Sequence, residues 1–417
     1  MVLPEFELVV DPAFSIPFLC WVAGGIVLGS ISGLIPGLHA NNFALVLAGV
    51  AASVPGPPLF VGAAMLAAGV VHTFLNAIPA MALGVPDAEM AVTALPGHRM
   101  VLDGRGFEAI RLSAVGSLLA VLVAIPLAIP VTIGVTAVYP YVRAHLSFLL
   151  LAIVLALVVT EYTWQRRAVG ACSFLLAAVL GWATLDLSPE APLEAGGMLA
   201  PLFAGLFGAP VLIDAINGGG VPPQEDGGLR LSRPLLGWTA VSGAIAGAVV
   251  GYLPGVSAAI AAIAVLFLVP GGITDRGYIV ATSGVDTANT IFALFALVAI
   301  GQPRSGVMVA FENVGAPLNL PVLLVGVVLS GVFGFVLVVS VGDLYLQLIG
   351  RLEYWKISVV ILTLLCCLSF LFTGLVGILV FCLAAIIGLV PVRLGARRVH
   401  LMGVLIGPLI LAGWSGW

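Results

Sequence analysis

The sequence predicts an all-α polytopic membrane protein of about ten transmembrane helices plus two broken, re-entrant helical hairpins, arranged as an inverted-topology repeat. Three observations predict it. The 417 residues are 61% hydrophobic and only 8% charged, where a soluble domain carries roughly 25% charged residues. Apolar runs repeatedly reach the ~20 residues that an ~30 Å hydrocarbon layer requires, and the alternating ten-residue segments of a β-barrel do not occur. A pattern of spaced glycines closed by Pro-Gly occurs twice at one offset.

Taken in order, the apolar runs fall at 16–53, 59–83, 112–138, 146–163, 169–187, 197–216, 237–269, 278–300, 318–341, 357–372, 374–391 and 399–415. The first and seventh are too long for one span, and each contains a Pro-Gly pair, Pro36-Gly37 and Pro254-Gly255. Proline removes an N–H and glycine admits positive φ, so such a pair ends a helix. Both runs are therefore read as helix-loop-helix elements that return to the face on which they started, and the other ten cross once. Alternating from Arg99, Arg105 and Arg111 inside, the loops bearing Arg166-Arg167, Arg230 and Arg233, Arg276, Arg351 and Lys356, and Arg393, Arg397 and Arg398 all fall on the cytoplasmic face, as the positive-inside rule asks. Only Arg143 and Arg304 fall elsewhere, and the acidic N-terminus with Glu5, Glu7 and Asp11 lies outside. Trp414 and Trp417 read as an interfacial anchor.

Gly25, Gly29, Gly33 and Pro36-Gly37 answer Gly243, Gly247, Gly251 and Pro254-Gly255 at an offset of 218 residues, and Gly84-Val85-Pro86-Asp87 answers Gly301-Gln302-Pro303-Arg304 at 217. The chain thus divides into a first repeat, 1–216, a cytoplasmic linker, 217–234, and a second repeat, 235–417. Each half holds one broken element and five crossings; five is odd, so the halves are inverted. In this architecture discontinuous helices point their termini at a ligand near the midplane. The N–H groups opening a new helix after each break attract anions, and irregular backbone in lipid survives only inside protein or beside a cavity.

Other classes are excluded. The longest polar stretch, Asn217 to Arg233, is too short for a catalytic or nucleotide-binding domain, and there is no GxxxxGK[ST] or HExxH motif, so no enzyme and no cofactor is expected. A net charge of −4 spread over short loops offers no face for nucleic acid. Cys20, Cys172, Cys366, Cys367 and Cys382 lie in apolar runs without CxxC spacing and suggest neither disulfides nor a metal site.

Against this background a few polar residues stand out as substrate-binding candidates: His39, Asn41 and Asn42 directly after the first break, where asparagine also suits helix capping; Ser257 after the second; and Thr73 and Asn76 on one helical face of an apolar run, where bonding a neighbouring helix is the simpler role. Asp286, with Thr287 and Asn289, is an ionisable group within a membrane segment and is expected to couple transport to H+ or Na+, unless it caps its helix. Asp87 and Arg304 hold equivalent places and would pair across the pseudo-twofold axis. Glu312 is a second candidate proton carrier, and His72 reads as a satisfied core histidine.

The stretches GSISGLIPGLHANNFALVL, HTFLNAIPAMALGVPDAEMAVTALPGHRMVLDGRGFEAIRLSAVGS, GAVVGYLPGVSAAI and SGVDTANTIFALFALVAIGQPRSGVMVAF resemble the TctA family, the large membrane permease of tripartite tricarboxylate transporters, and look most like its shorter archaeal branch. The resemblance covers most of the chain in order. It implies an ion-driven secondary transporter of carboxylate anions in the cell membrane, working with a small membrane subunit and an extracytoplasmic solute-binding protein; association with further copies of itself stays open. It also implies that Pro36 to Asn42, Pro254 to Ser257, Thr73 to Asn76 and Asp286 to Asn289 line the substrate site; apart from the resemblance, the planar fork of Arg304 suits a carboxylate, the alternative to its pairing with Asp87. His39 and Ser257 stand where the family usually has the second glycine of Pro-Gly-x-Gly. The Pro-Gly-Val-Ser loop further resembles a family linked to moving polyprenyl-phosphate lipids, which makes a lipid-phosphate translocase the alternative.

Overall fold

The computed structural model describes residues 11–414 except 39, 41–42, 45–46, 48–55, 87–89, 91–93, 194–196, 217–221, 226–227, 230, 253–257, 259–260, 263–273, 302 and 352. Fourteen α-helices are labelled here among the described residues, which contain no strand: α1 Pro12–Leu34, α2 Pro58–Leu75, α3 Ala77–Leu83, α4 Ala94–Leu102, α5 Gly106–Val159, α6 Trp164–Thr184, α7 Leu199–Phe203, α8 Ala209–Ile216, α9 Arg233–Tyr252, α10 Asp275–Ile300, α11 Gly306–Asn313, α12 Leu320–Ile349, α13 Tyr354–Leu394 and α14 Gly403–Trp414. A π-turn, Ala204–Gly208, joins α7 to α8, and a 3₁₀ turn, Arg398–Met402, precedes α14. Eight helical stretches among these are long and apolar enough to cross a membrane, and Ala144–Val159, Leu199–Asp214 and Arg398–Gly413 are shorter apolar helices. The all-α polytopic class expected from composition is the class observed.

Two pairs of the expected runs each share one helix. The runs 112–138 and 146–163 lie in one continuous 54-residue helix, α5; at about 1.5 Å per residue it is far longer than one crossing, and it supplies two apolar stretches, Gly106–Val135 and Ala144–Val159. Polar residues between apolar runs do not end a helix when the backbone can stay helical through them. The runs 357–372 and 374–391 likewise share α13, but there the helix is broken where expected, at Gly374, whose φ of 62° and ψ of −156° lie outside helical space.

The repeated glycines are packing surfaces. A Cβ on Gly25 or Gly29 would collide with the carbonyl oxygens of Ala64 and Ala68 on α2, and one on Gly33 would strike Leu75 and Asn76. In the other half a Cβ on Gly243 would meet the carbonyl of Ala281 on α10, one on Gly247 would meet Ala288, and one on Gly251 would meet Phe292 and Ala293. Backbone thus packs on backbone in both helix pairs, as small residues four apart permit in lipid, where no hydrophobic force draws helices together. The correspondence extends further: α12 packs on α2 as α5 packs on α10. Gly84, ending α3, has φ 67° and ψ 24°, and Gly301, ending α10, has φ 67° and ψ 25°.

Among the described residues, two of the four clusters of buried hydrophobic residues are large. The larger is built from α1 to α4, the first part of α5, α8 and α9 to α12, with Ile361, Leu365, Phe381 and Ala385 of α13; the smaller from the second part of α5, α6, α7, the π-turn, the second half of α13, the 3₁₀ turn and α14, with Tyr278 of α10. Loops assigned by hydropathy to one face meet one another. Glu108, 3% exposed, takes the guanidinium of Arg276 at 2.6 Å and that of Arg105 at 2.9 Å. Arg111 bonds Asp343 at 3.0 Å, Arg393 bonds Asp214 at 2.8 Å, and the linker's Gln224 accepts from Gly106 N at 2.6 Å. Glu161, between α5 and α6, accepts from Arg397 Nε at 3.0 Å and lies 2.9 Å from His400 Nε2.

Candidate functional site

The first break is a turn with a clear cause. Ile35 leaves helical space, Leu38 N bonds Ile35 O at 3.2 Å, and Gly37 at the third position has φ +72°, the type II geometry that Pro-Gly favours. Pro36, Leu38 and Ala40 are buried, and Leu365 of α13 lies against Gly37. Val85, just beyond α3, and Gly208 of the π-turn meet the same leucine region, so the break is enclosed by protein on all the elements named. That enclosure is what irregular backbone in a membrane requires.

Next to the break, α2 and α10 carry a buried polar seam. Asn76 Nδ2 donates to Asp286 Oδ2 at 3.0 Å, and Thr73 and Thr287 hydroxyls lie 3.1 Å apart. Asp286 and Thr287 are fully buried, Thr73, Asn76 and Asn289 nearly so. The two polar segments singled out in the sequence, more than two hundred residues apart, are therefore in direct contact. Asp286 stands midway along α10, well inside the helix rather than at its cap; that cap is Thr274, which accepts from Gly277 N.

The seam extends beyond the expected residues. Ser32, one turn before Pro36, has its Oγ 2.9 Å from His72 Nδ1, and both are buried. Ser283 of α10 meets Ser113 of α5 at 2.8 Å, and Thr290 is also buried there. Tyr252, the last residue of α9 and two before Pro254 in sequence, bonds Thr132 of α5. A sequence signal existed for Ser32 and Tyr252 in their positions ahead of each Pro-Gly; for Ser113 and Ser283 none did, because serine inside a helix commonly bonds its own backbone. His72 also lines a small cavity of about 10 Å³ that it shares with Ala40, Phe43, Ala44 and Leu47 of the limb following the break.

Arg304 is half-buried between Gly301 and Ser305, the latter capping α11 through Met308 N. His39, Asn41, Asn42, Pro254, Gly255, Ser257 and Asp87, and with Asp87 its expected pairing to Arg304, lie outside the described residues. Among the described residues no cluster of three or more His, Cys, Asp or Glu is placed to hold a metal ion.

Residues 19–403 match the family described as the tripartite tricarboxylate transporter TctA family. The chain belongs to that family. An uncharacterized protein of Methanocaldococcus jannaschii is 27% identical over 413 residues, covering 94% of this chain and 98% of that protein. No solved structure matches. This TctA-family chain is accordingly a multi-pass membrane transport protein, and the family is one of transporters rather than enzymes. The enclosed Pro-Gly turn and the seam beside it are the features of the described fold that suit such a role.

Proposed function

We propose that the protein is a permease that carries small carboxylate anions such as tricarboxylates across the cytoplasmic membrane, driven by an ion gradient, through alternating access of two inverted halves, 1–216 and 235–417, joined by the linker 217–234. The N-terminus faces outward in this reading, and a small membrane subunit with an extracytoplasmic binding protein delivers the solute.

The observation that carries the reading is the buried contact of Asn76 and Thr73, where α2 meets α3, with Asp286 and Thr287 midway along α10. A buried carboxylate within membrane-crossing helices is expensive and marks an ion or substrate pathway. Its place beside the first break supports coupling. An anionic solute drawn to the new helix start would repel an ionised Asp286: two unit charges ~8 Å apart at an effective dielectric of ~20 repel by about 2 kcal/mol. A cation bound at Asp286 removes that repulsion, so solute and ion favour each other's binding. The family's description supports the carboxylate class.

The test is thermal unfolding of the purified, detergent-solubilised chain against a panel of di- and tricarboxylates and a short-chain polyprenyl phosphate. A ligand at a hundred times its Kd stabilises by about 2.7 kcal/mol. A selective rise with a carboxylate is expected; a rise with the isoprenoid phosphate alone would replace the reading with lipid translocation.

A further inference from the structure

The second half of α13 packs on α6, and between them lies an open groove of about 620 Å³ with an almost wholly apolar lining. That volume is in the range of sites that hold a small molecule. Ala168, Ala171 and Cys172 of α6 line one end, and Leu383 and Ile387 of α13 line the side. Because α6 is long and apolar enough to cross the membrane, what fills the groove in a bilayer is a hydrocarbon chain or an apolar helix.

The spacing of small residues decides between the two. Where helices approach closely in this protein, small residues recur at every fourth position, as at Gly25, Gly29 and Gly33, and a Cβ there would strike the neighbouring helix. The groove does not keep that spacing. Ala171 is followed four and eight places on by Leu175 and Val179, and Cys172 by Leu176 and Leu180. A helix about 10–12 Å across with its side chains is held off by these residues along most of the length, whereas a flexible hydrocarbon chain follows such a surface. A chain of one leaflet spans about 15 Å, half of the ~30 Å hydrocarbon layer, so from Ala168 it reaches about ten residues along α6, close to Val179.

The end near Ala168 carries what a lipid headgroup needs. Trp164 and Gln165 stand seven residues before Ala171 and Cys172, two turns along the same face. Trp164 is 79% exposed and Tyr162 86%, and such aromatics mark a membrane–water interface. Arg166 lies where α6 meets the end of α13: a Cβ on Gly395 would sit 3.7 Å from its Nε. The basic side chains around it are engaged, Arg167 with the Glu161 carbonyl, Arg397 with the Glu161 carboxylate and Arg393 with Asp214. Arg166 is exposed, and its side chain makes no ion pair or hydrogen bond among the described residues. By the positive-inside rule this end is cytoplasmic, the side on which the leaflet carries a negative surface potential.

We propose that the groove between α6 and α13 binds one anionic membrane lipid, a hydrocarbon chain lying along Ala168 to Val179 and the phosphate at Arg166. Basic pockets between membrane helices on the cytoplasmic side hold such headgroups, and a guanidinium offers phosphate a bidentate partner. The site is distinct from the polar seam of α2 and α10 and does not depend on which solute is carried.

The test is native mass spectrometry of the full chain in detergent, incubated with a phosphatidylglycerol or with a phosphatidylcholine of the same acyl chains. One phosphatidylglycerol per chain should be retained, with a preference of about fivefold over phosphatidylcholine, the effect of one basic residue near an anionic surface. Arg166→Gln should abolish the preference, and Cys172→Trp, which fills the small-residue end, should abolish retention; both positions are exposed, so the fold should survive, as size-exclusion profiles would show. Leu122→Trp, 60% exposed on α5 and outside the groove, should match wild type. Glycerol phosphate, a headgroup without a chain, should not compete. Equal retention of the two lipids, a preference that survives Arg166→Gln, retention that survives Cys172→Trp, or competition by glycerol phosphate overturns the proposal. So does cross-linking of Cys172, kept as the sole cysteine, to a second copy or another polypeptide in native membranes, since a protein would then cover the groove.

Discussion

Replacing Asn76 by alanine removes the amide that donates to Asp286 Oδ2 at 3.0 Å. Asn76 is 5% exposed and Asp286 0%, so water cannot take the lost donor's place. A hydrogen bond to a charged acceptor is worth about 1.5–3 kcal/mol net in soluble proteins, while polar pairs between membrane helices average about 0.6 and reach about 1.7 kcal/mol, because the unfolded state in lipid also finds partners. An ionisable, fully buried acceptor places this pair near the upper membrane figure, at about 1.5 kcal/mol of coupling. The assay is a double-mutant cycle of Asn76→Ala, Asp286→Ala and both, with unfolding free energies from denaturing-detergent titration. The double mutant should be less destabilised than the two singles summed, by that coupling. Additivity within about 0.5 kcal/mol, the tolerance expected of independent sites, would show that the bond does not join the two helices and would remove the main support for the seam.

Two further outcomes follow from the packing and from the loops. Gly29→Val and Gly247→Val should lower the yield of folded protein sharply in expression and size-exclusion profiles, because the new side chains strike Ala68 and Ala288 across the helix pairs, whereas Gly24→Ala, with nothing within 4 Å of its Cβ, should behave as wild type. Glu161 is buried, which by itself pushes its carboxyl up, but the Arg397 backbone N–H and then the His400 and Arg397 side chains outweigh this and hold it below the ordinary glutamate value. A carboxyl lowered in the folded state adds stability that is complete above its unfolded value and is lost as pH falls through the folded one. Melting temperature should therefore drop below about pH 4.5 in wild type and respond less in Glu161→Gln, which a melt series from pH 6 to 3 would show; equal slopes would refute the assignment.

Much of the candidate site was legible because lipid makes polar residues conspicuous. Thr73, Asn76 and Asp286 interrupt apolar runs, and a hydrocarbon setting allows such interruptions only where something is gained. His72 is buried and hydrogen-bonded, as a core histidine is expected to be, but that its partner is Ser32 depends on where α1 crosses α2. Ser113 and Ser283 were invisible because each is unremarkable in its own helix and acquires meaning only from the other. The continuity of α5 escaped the hydropathy map because polarity marks where a chain leaves the membrane and not where its helical hydrogen bonds stop.

Composition and run length determine the membrane class, since a chain this apolar has no other stable solvent, and the repeated glycines with their Pro-Gly closures determine where helices approach and where they break, since only those residues permit either. Which polar groups meet was decided by tertiary structure alone. Asn76 and Asp286 are separated by 210 residues of chain, and Thr73 and Thr287 by 214. No local pattern encodes such a pairing. It arises because close backbone packing of α1 on α2 and α9 on α10 fixes the rotation of each helix about its axis, and so selects which of its faces is turned toward the other half.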